Sequence, residues 1–313
     1  MWRARSFLSR RWLCPRAWLL VVLAGLTACG GGDDPRDSPE PARPIAAAWF
    51  YLSDTQDYQT IPEDWARVDF RAVDRLHVGP AGIQPDGRFG LFQSAQTGDL
   101  RHRFEWVIDK ARRENPAIEV VVSQWWGRGE GVWGRSLDVL DTPAARGAYA
   151  QSMADFLAFY RRHAGGRYAV DGVDIDYEGE NVVPAFPEIA GQIRTALRTL
   201  SDQHGRPYLF TVTPADDEYL TPASLAQADF VNLQSYAGGL EFTLDLLYAL
   251  DVAPSKILLG ICPETDCDTF SETDVLAGYR EEGLAGIHLW RLNSDNQDVE
   301  GDVQRRIHAA LHP

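Results

Sequence analysis

The chain has 313 residues, of which 30 are Lys or Arg and 45 are Asp or Glu, a formal charge of -15 at pH 7. So acidic a surface repels phosphate backbones, which removes nucleic acid from the expected partners and leaves neutral glycans unpenalised. The length suits either two average domains or one α/β barrel with its loops, and the position of motifs along the chain has to decide between them.

Residues 1–28 read as a secretory signal: Arg3, Arg5, Arg10, Arg11 and Arg16 precede an apolar run over 17–28 that is too short to span a bilayer comfortably. Losing those five arginines takes the charge from -15 to -20, because no acidic residue leaves with them. The segment ends Leu26-Thr27-Ala28-Cys29, which resembles a bacterial lipoprotein processing site and implies cleavage before Cys29 and acylation of its sulfur. An ordinary cleaved signal with an incidental cysteine is the alternative. Residues 30–44, with three glycines and Pro35, Pro39, Pro41 and Pro44, have nothing to bury and read as a tether reaching up to roughly 45 Å. The expected product is an exported protein held on a membrane by a lipid, acting as a monomer. Gly30 after Cys29 is compatible with outer-membrane sorting in a Gram-negative host.

From residue 45 onward, short stretches rich in β-branched and aromatic residues alternate with amphipathic segments. The spacing predicts strands over 45–52, 75–83, 118–125, 173–177, 208–213, 230–236, 256–261 and 286–292. Helices are expected over 100–114, 143–163 with Thr142 as N-cap, 185–203, 240–250 and 272–282. Eight strands alternating with helices specify one closed (β/α)8 TIM barrel over 45–313. Reactive groups of such a barrel sit where strands end. These ends carry Trp125-Trp126, Glu178, Asp216-Asp217, Gln234-Ser235-Tyr236 and Trp290.

The most telling segment runs Asp171-Gly172-Val173-Asp174-Ile175-Asp176-Tyr177-Glu178. Residues two apart on a strand share a face, so Asp174, Asp176 and Glu178 point into the barrel while Val173, Ile175 and Tyr177 face the helices. Three carboxyls in one interior column cannot all ionise cheaply, and at least one is pushed towards its neutral form. A proton held beside a carboxylate at neutral pH is what glycosidic cleavage requires. A magnesium site on Asp174 and Asp176 is the competing chemistry, whereas the offsets of a calcium loop are absent. No cofactor and no metal are expected. Gly127, Gly129 and Gly131 lack the helix start of a dinucleotide fingerprint, and His77 and His102 lack the partners of a zinc site.

The same segment matches the DxxDxDxE signature of glycoside hydrolase family 18, which includes chitinases and endo-β-N-acetylglucosaminidases. The resemblance implies that Glu178 protonates the glycosidic oxygen and then acts as base on water. Asp176 would hold the substrate's 2-acetamido group, Asp174 would tune the proton shared with Asp176, and Asp171 would be structural. Gln234-Ser235-Tyr236 looks like the QxY of the endoglycosidase and plant-type branches. It implies a hydroxyl from Tyr236 to the acetamide carbonyl, with Gln234 nearby. Trp290 resembles the tryptophan under the sugar being cleaved, with Trp125, Trp126 and Trp133 extending the platform. Two departures stand out: Ala237 replaces the usual Asn or Asp, and Ser123-Gln124-Trp125-Trp126 replaces SxGG, putting bulk where glycine leaves room.

Cys262 and Cys267 remain once Cys14 leaves with the signal and Cys29 takes the lipid. Export favours a disulfide between them, a free thiol pair being the alternative. The expected partner is therefore a glycan containing N-acetylglucosamine, from an N-glycan core, a chitin oligosaccharide or peptidoglycan. A lectin-like lipoprotein that grips such glycans without cutting them is the alternative from another class.

Overall fold

The computed structural model describes residues 43–53, 57–127, 132–236, 243–264, 267 and 271–313, with the side chains of Val132 and Trp133 excepted. The expected signal, Cys29, nearly all of the tether, Ala237, Gly129 and Gly131 lie outside the described residues, and so does the Trp133 ring. Among the described residues no helix is long and apolar enough to cross a membrane.

Eight parallel strands close on themselves: Ile45–Tyr51, Arg75–Ile83, Glu119–Gln124, Gly172–Tyr177, Leu209–Pro214, Phe230–Leu233, Ile257–Ile261 and Gly286–Leu289. We call these barrel strands one to eight. Each pairs with its sequence neighbour, and strand eight returns to strand one through Ile45 to Gly286 and Ala48 to Leu289. The helices are α1 (Arg101–Glu114), α2 (Pro143–Arg162), α3 (Phe186–His204), the single turn α4 (Pro222–Leu225), α5 (Leu244–Ala249), α6 (Glu272–Glu282) and α7 (Gln297–Leu311). The chain is a single TIM barrel, as its alternating pattern requires.

The two faces of the barrel wall differ in kind. Val173, Ile175 and Tyr177 join the apolar layer between sheet and helices, where the Tyr177 ring lies 4.3 Å from Phe186 of α3. Burying a side chain of that size stabilises by roughly 1.5–3 kcal/mol. The inward positions are polar instead: His77, Ser123, Asp174, Thr211, Thr213, Asn232 and His288 are all buried. Register aligns them across the lumen, with Asp174 beside Ser123 on one side and Thr211 on the other, and Asp176 beside Thr213.

Several elements differ from their sequence expectation. Strand six stops at Leu233 and strand eight at Leu289, so Gln234, Tyr236 and Trp290 stand just past the strands, in the loops above. Helix α2 begins as expected, with the Thr142 hydroxyl accepting from the Ala145 N–H at 3.1 Å, but it ends at Arg162. Beyond it Ala164 and Gly165 take positive φ values of 49° and 69°, which no α-helix accommodates. α5 is shorter than its apolar pattern suggests. Helix α7 and the short strand Phe89–Leu91, antiparallel on strand two, were not anticipated.

Candidate active site

The site begins with Asp174, buried at the centre of the lumen. Its Oδ2 accepts from Ser123 Oγ at 2.9 Å, and its Oδ1 accepts from Thr213 Oγ1 at 2.8 Å, from Thr211 Oγ1 and, at 3.5 Å, from Asn232 Nδ2. Burial raises its pKa to about 6, against the lowering effect of the Thr211, Thr213 and Ser123 hydroxyls. His77 Nδ1 lies 3.8 Å away, yet burial, then the charge of Arg75 and then His288 hold that imidazole well below its ordinary value. At neutral pH it brings no positive charge.

Asp176 stands one layer higher and is 3% exposed. Its Oδ1 accepts from Gln234 Nε2 at 2.8 Å, and the same amide nitrogen donates to the Thr213 carbonyl at 3.1 Å. Gln234 thereby fixes the orientation of the carboxyl. Burial, followed by the charges of Glu178 and then Asp174, pushes the Asp176 carboxyl well above the usual range, opposed by the Gln234 hydrogen bond.

Glu178 ends the column, half-buried at the mouth. Burial raises its pKa to about 7. Among the described residues no lysine or arginine forms a salt bridge with Asp174, Asp176 or Glu178, so the column relieves its own repulsion by holding protons.

The loops around the column are tied to it. The Asn181 side chain donates to the carbonyls of Asp176 at 2.6 Å and Trp125 at 3.1 Å and accepts from the Leu137 N–H at 3.0 Å. Gly179 adopts φ of 51°, and a Cβ there would lie 2.5 Å from Trp126 Cε3. Glycine is thus what lets Trp126 close over the residue that follows Glu178. Tyr236 is buried against His288, ring centroids 5.9 Å apart, in space that exists because position 260 has no side chain: a Cβ there would come 2.6 Å from Tyr236 Cε1. The phenol is raised well above its ordinary value by burial and then by the charges of Asp176 and Glu178. Tyr236 therefore lies in the electrostatic field of the column.

An aromatic wall borders one side. Trp126 stacks on Trp125 (centroids 5.6 Å apart), Trp125 stacks on Trp290 (6.3 Å), and Trp290 leans on Trp49 (5.4 Å), which stacks on His77 (4.9 Å). The Trp290–Arg291 peptide is cis. Arg291 donates to Glu264 at 2.7 Å and lies 5.1 Å over the Tyr51 ring. Glu264 belongs to the short loop closed by a disulfide between Cys262 and Cys267, whose Cα atoms are 6.0 Å apart.

The structure therefore gathers Asp174, Asp176, Glu178, Gln234, Tyr236, Trp125, Trp126 and Trp290 at one mouth. Asp217 and Glu218 are exposed beyond strand five. Sequence reasoning missed Thr211, Thr213, Asn232 and Asn181, although polar residues at period two in apolar strands were a usable signal. A separate cavity of about 490 Å³ lies between Phe89–Leu91 and α2, lined in part by Phe156, Phe159 and Tyr160. Of its acids, Asp155 pairs with Arg88 at 2.7 Å and Asp99 with Arg101 at 3.8 Å.

The column can hold one proton beside a carboxylate, next to an aromatic wall. Several solved structures share the fold. A class V chitinase from Nicotiana tobaccum is 14% identical with a TM-score of 0.65, covering 86% of this chain and 99% of that one. The GH18 chitinase ChiB from the chitin utilization locus of Flavobacterium johnsoniae is 15% identical with a TM-score of 0.63, covering 86% and 94%. A chitinase-like agglutinin from Robinia pseudoacacia is 16% identical with a TM-score of 0.63, covering 84% and 99%. No protein with a curated description matches the sequence. The model of the family described as glycosyl hydrolases family 18 matches residues 48–261, from the middle of strand one to the end of strand seven with the whole acidic column, and the chain belongs to that family.

Proposed function

We propose that the protein hydrolyses β-1,4 linkages of N-acetylglucosamine by a retaining, substrate-assisted route. The arrangement that carries this reading is the inward column of Asp174, Asp176 and Glu178, in which Gln234 orients the Asp176 carboxyl at 2.8 Å and burial raises the Glu178 pKa to about 7. In the first step Glu178 gives its proton to the leaving oxygen while the substrate's own acetamide oxygen bonds to the anomeric carbon. The C–O bond to the leaving sugar breaks, and a cyclic oxazolinium forms. Asp176 faces the acetamide N–H and balances its positive charge, and the Tyr236 hydroxyl donates to the acetamide oxygen. In the second step the Glu178 carboxylate takes a proton from water, whose oxygen attacks the same carbon and reopens the ring. Two successive inversions at the anomeric carbon, from opposite faces, leave the configuration unchanged.

The role of Asp174 is to share the proton of Asp176 through the crowded column, and Trp290 supports the sugar's C–H face, extended by Trp125 and Trp126. We further propose that residues 1–28 are removed, that Cys29 carries the lipid, and that 30–44 tether residues 45–313 to a membrane as an exported monomer. The N-glycan chitobiose core and short chitin chains are the favoured substrates, with peptidoglycan sharing the chemistry. The fold similarity to a chitinase-like agglutinin favours one competing reading, a lectin that binds without cutting. Incubation with a high-mannose glycoprotein, chitooligosaccharides and peptidoglycan, with products weighed by mass spectrometry, separates them. Release of fragments ending in N-acetylglucosamine from one of the three is expected, and recovery of all three intact would leave only the lectin.

A further inference from the structure

The opposite end of the barrel holds a second convergence of titratable side chains. Asp74 immediately precedes strand two, and α7 ends against it with His308 in its last turn and His312 just past Leu311. Asp74 Oδ2 accepts from the Ala46 N–H at 2.8 Å and lies 2.7 Å from His312 Nε2, and Asp74 Oδ1 lies 3.9 Å from His308 Nε2. One ligating atom from each of the three residues thus falls within 4.8 Å of the others. The His312 N–H donates to the His308 carbonyl at 2.9 Å, and the two ring centroids are 4.5 Å apart. The three side chains are 27%, 14% and 19% exposed for His308, His312 and Asp74, a recess that solvent still reaches.

We propose that Asp74, His308 and His312 bind one divalent cation of the zinc class at the base of the barrel. Two imidazole nitrogens and one carboxylate oxygen form a ligand set that zinc accepts at about 2.0–2.2 Å, with water completing a tetrahedron. Calcium and magnesium prefer all-oxygen shells, so the two nitrogens discriminate against them. The cation replaces the contact between His312 and Asp74. It also displaces the Arg43 guanidinium, which sits 3.4 Å from Asp74 Oδ1 and is 69% exposed, free to turn into water. Ala46 keeps its hydrogen bond to Asp74 Oδ2, so the ion joins strand one, the segment entering strand two and the last helix. Its role is to staple α7 to the barrel floor just where the chain enters from residue 43. This does not depend on the glycosidase reading.

The test titrates zinc into the full, unprocessed chain, with Cys14 and Cys29 blocked by alkylation under non-reducing conditions, and follows heat and melting temperature. One equivalent is expected to bind, with a raised Tm, no shift from calcium or magnesium, and a tetrahedral absorption band when cobalt replaces zinc. His308→Gln with His312→Gln should weaken zinc binding at least tenfold while leaving the circular dichroism spectrum unchanged. Arg43→Ala removes a competing cation without touching a ligand and should tighten binding at least twofold. Zinc binding as tight in the double variant as in the parent, absence of a saturable equivalent, or no gain with Arg43→Ala would each overturn the proposal.

Discussion

Strand four carries carboxyls at both ends, and the molecule treats the two ends in opposite ways. At the lower end Asp171, 12% exposed, accepts from Arg206 at 2.6 Å, from Arg112 at 3.1 Å and from the Val120 N–H at 2.9 Å. At the upper end Asp174, Asp176 and Glu178 meet hydroxyls, an amide and one another, with no arginine or lysine ion pair among the described residues. The lower carboxyl is neutralised by cations and serves as a brace between helices and sheet. The upper three are left to neutralise themselves with protons, which is a cost to folding and a resource for chemistry. Placement along one strand, with no change of residue type, separates structure from function.

That contrast can be broken at either end. Glu178→Gln removes the transferable proton while keeping the side chain's shape, and turnover should fall at least roughly a hundredfold with KM little changed. Steady-state kinetics on a chitooligosaccharide reads this directly. Asp176→Asn leaves the acid in place but deletes the charge that balances the oxazolinium, for which a loss of roughly a hundredfold in kcat is expected, nearly all in the chemical step. Asp171→Asn sits just before the same strand and should change kcat by less than about twofold. It lowers stability by roughly 1–2 kcal/mol, because two arginines lose their counter-charge in a setting they only partly share with water. Thermal unfolding checks it, and a rate loss comparable to that of Asp176→Asn would erase the distinction between the two ends.

How far the sequence alone reached follows the same division. The barrel was legible because each strand alternates apolar residues outward, as in Val173-Asp174-Ile175-Asp176, and because Thr142-Pro143 signals a helix start in purely local terms. Helix α7 was overlooked because Glu300, Gln304 and His308 interrupt its apolar spacing, and two of these are buried for tertiary reasons, Glu300 by Ser294 and Gln304 by the Ala72 carbonyl. The carboxyl column announced itself by charge inside an apolar strand. The residues that govern it did not: Thr211, Thr213 and Asn232 are unremarkable in strands, and their role comes only from the hydrogen bonds the closed barrel lets them give to Asp174. Asn181 and Gly260 act through loop closure and through the absence of a side chain, neither of which a linear pattern displays. His308 and His312 are spaced for metal ligation, but Asp74 is 234 residues from the nearer one and only the closed barrel brings them together.

The central claim, that burial keeps a proton on Glu178 near neutrality, is tested most directly by the pH dependence of kcat/KM. A carboxyl whose folded pKa is raised from 4.5 to about 7 holds its proton below that value and loses it above. Activity should therefore persist through mildly acid conditions and fall about tenfold per pH unit above roughly 7. The same sign makes the column's contribution to stability largest in acid and lost as pH climbs through the range where Glu178 ionises. A rate that declines already near pH 4.5, or stays level to pH 9, would contradict the account.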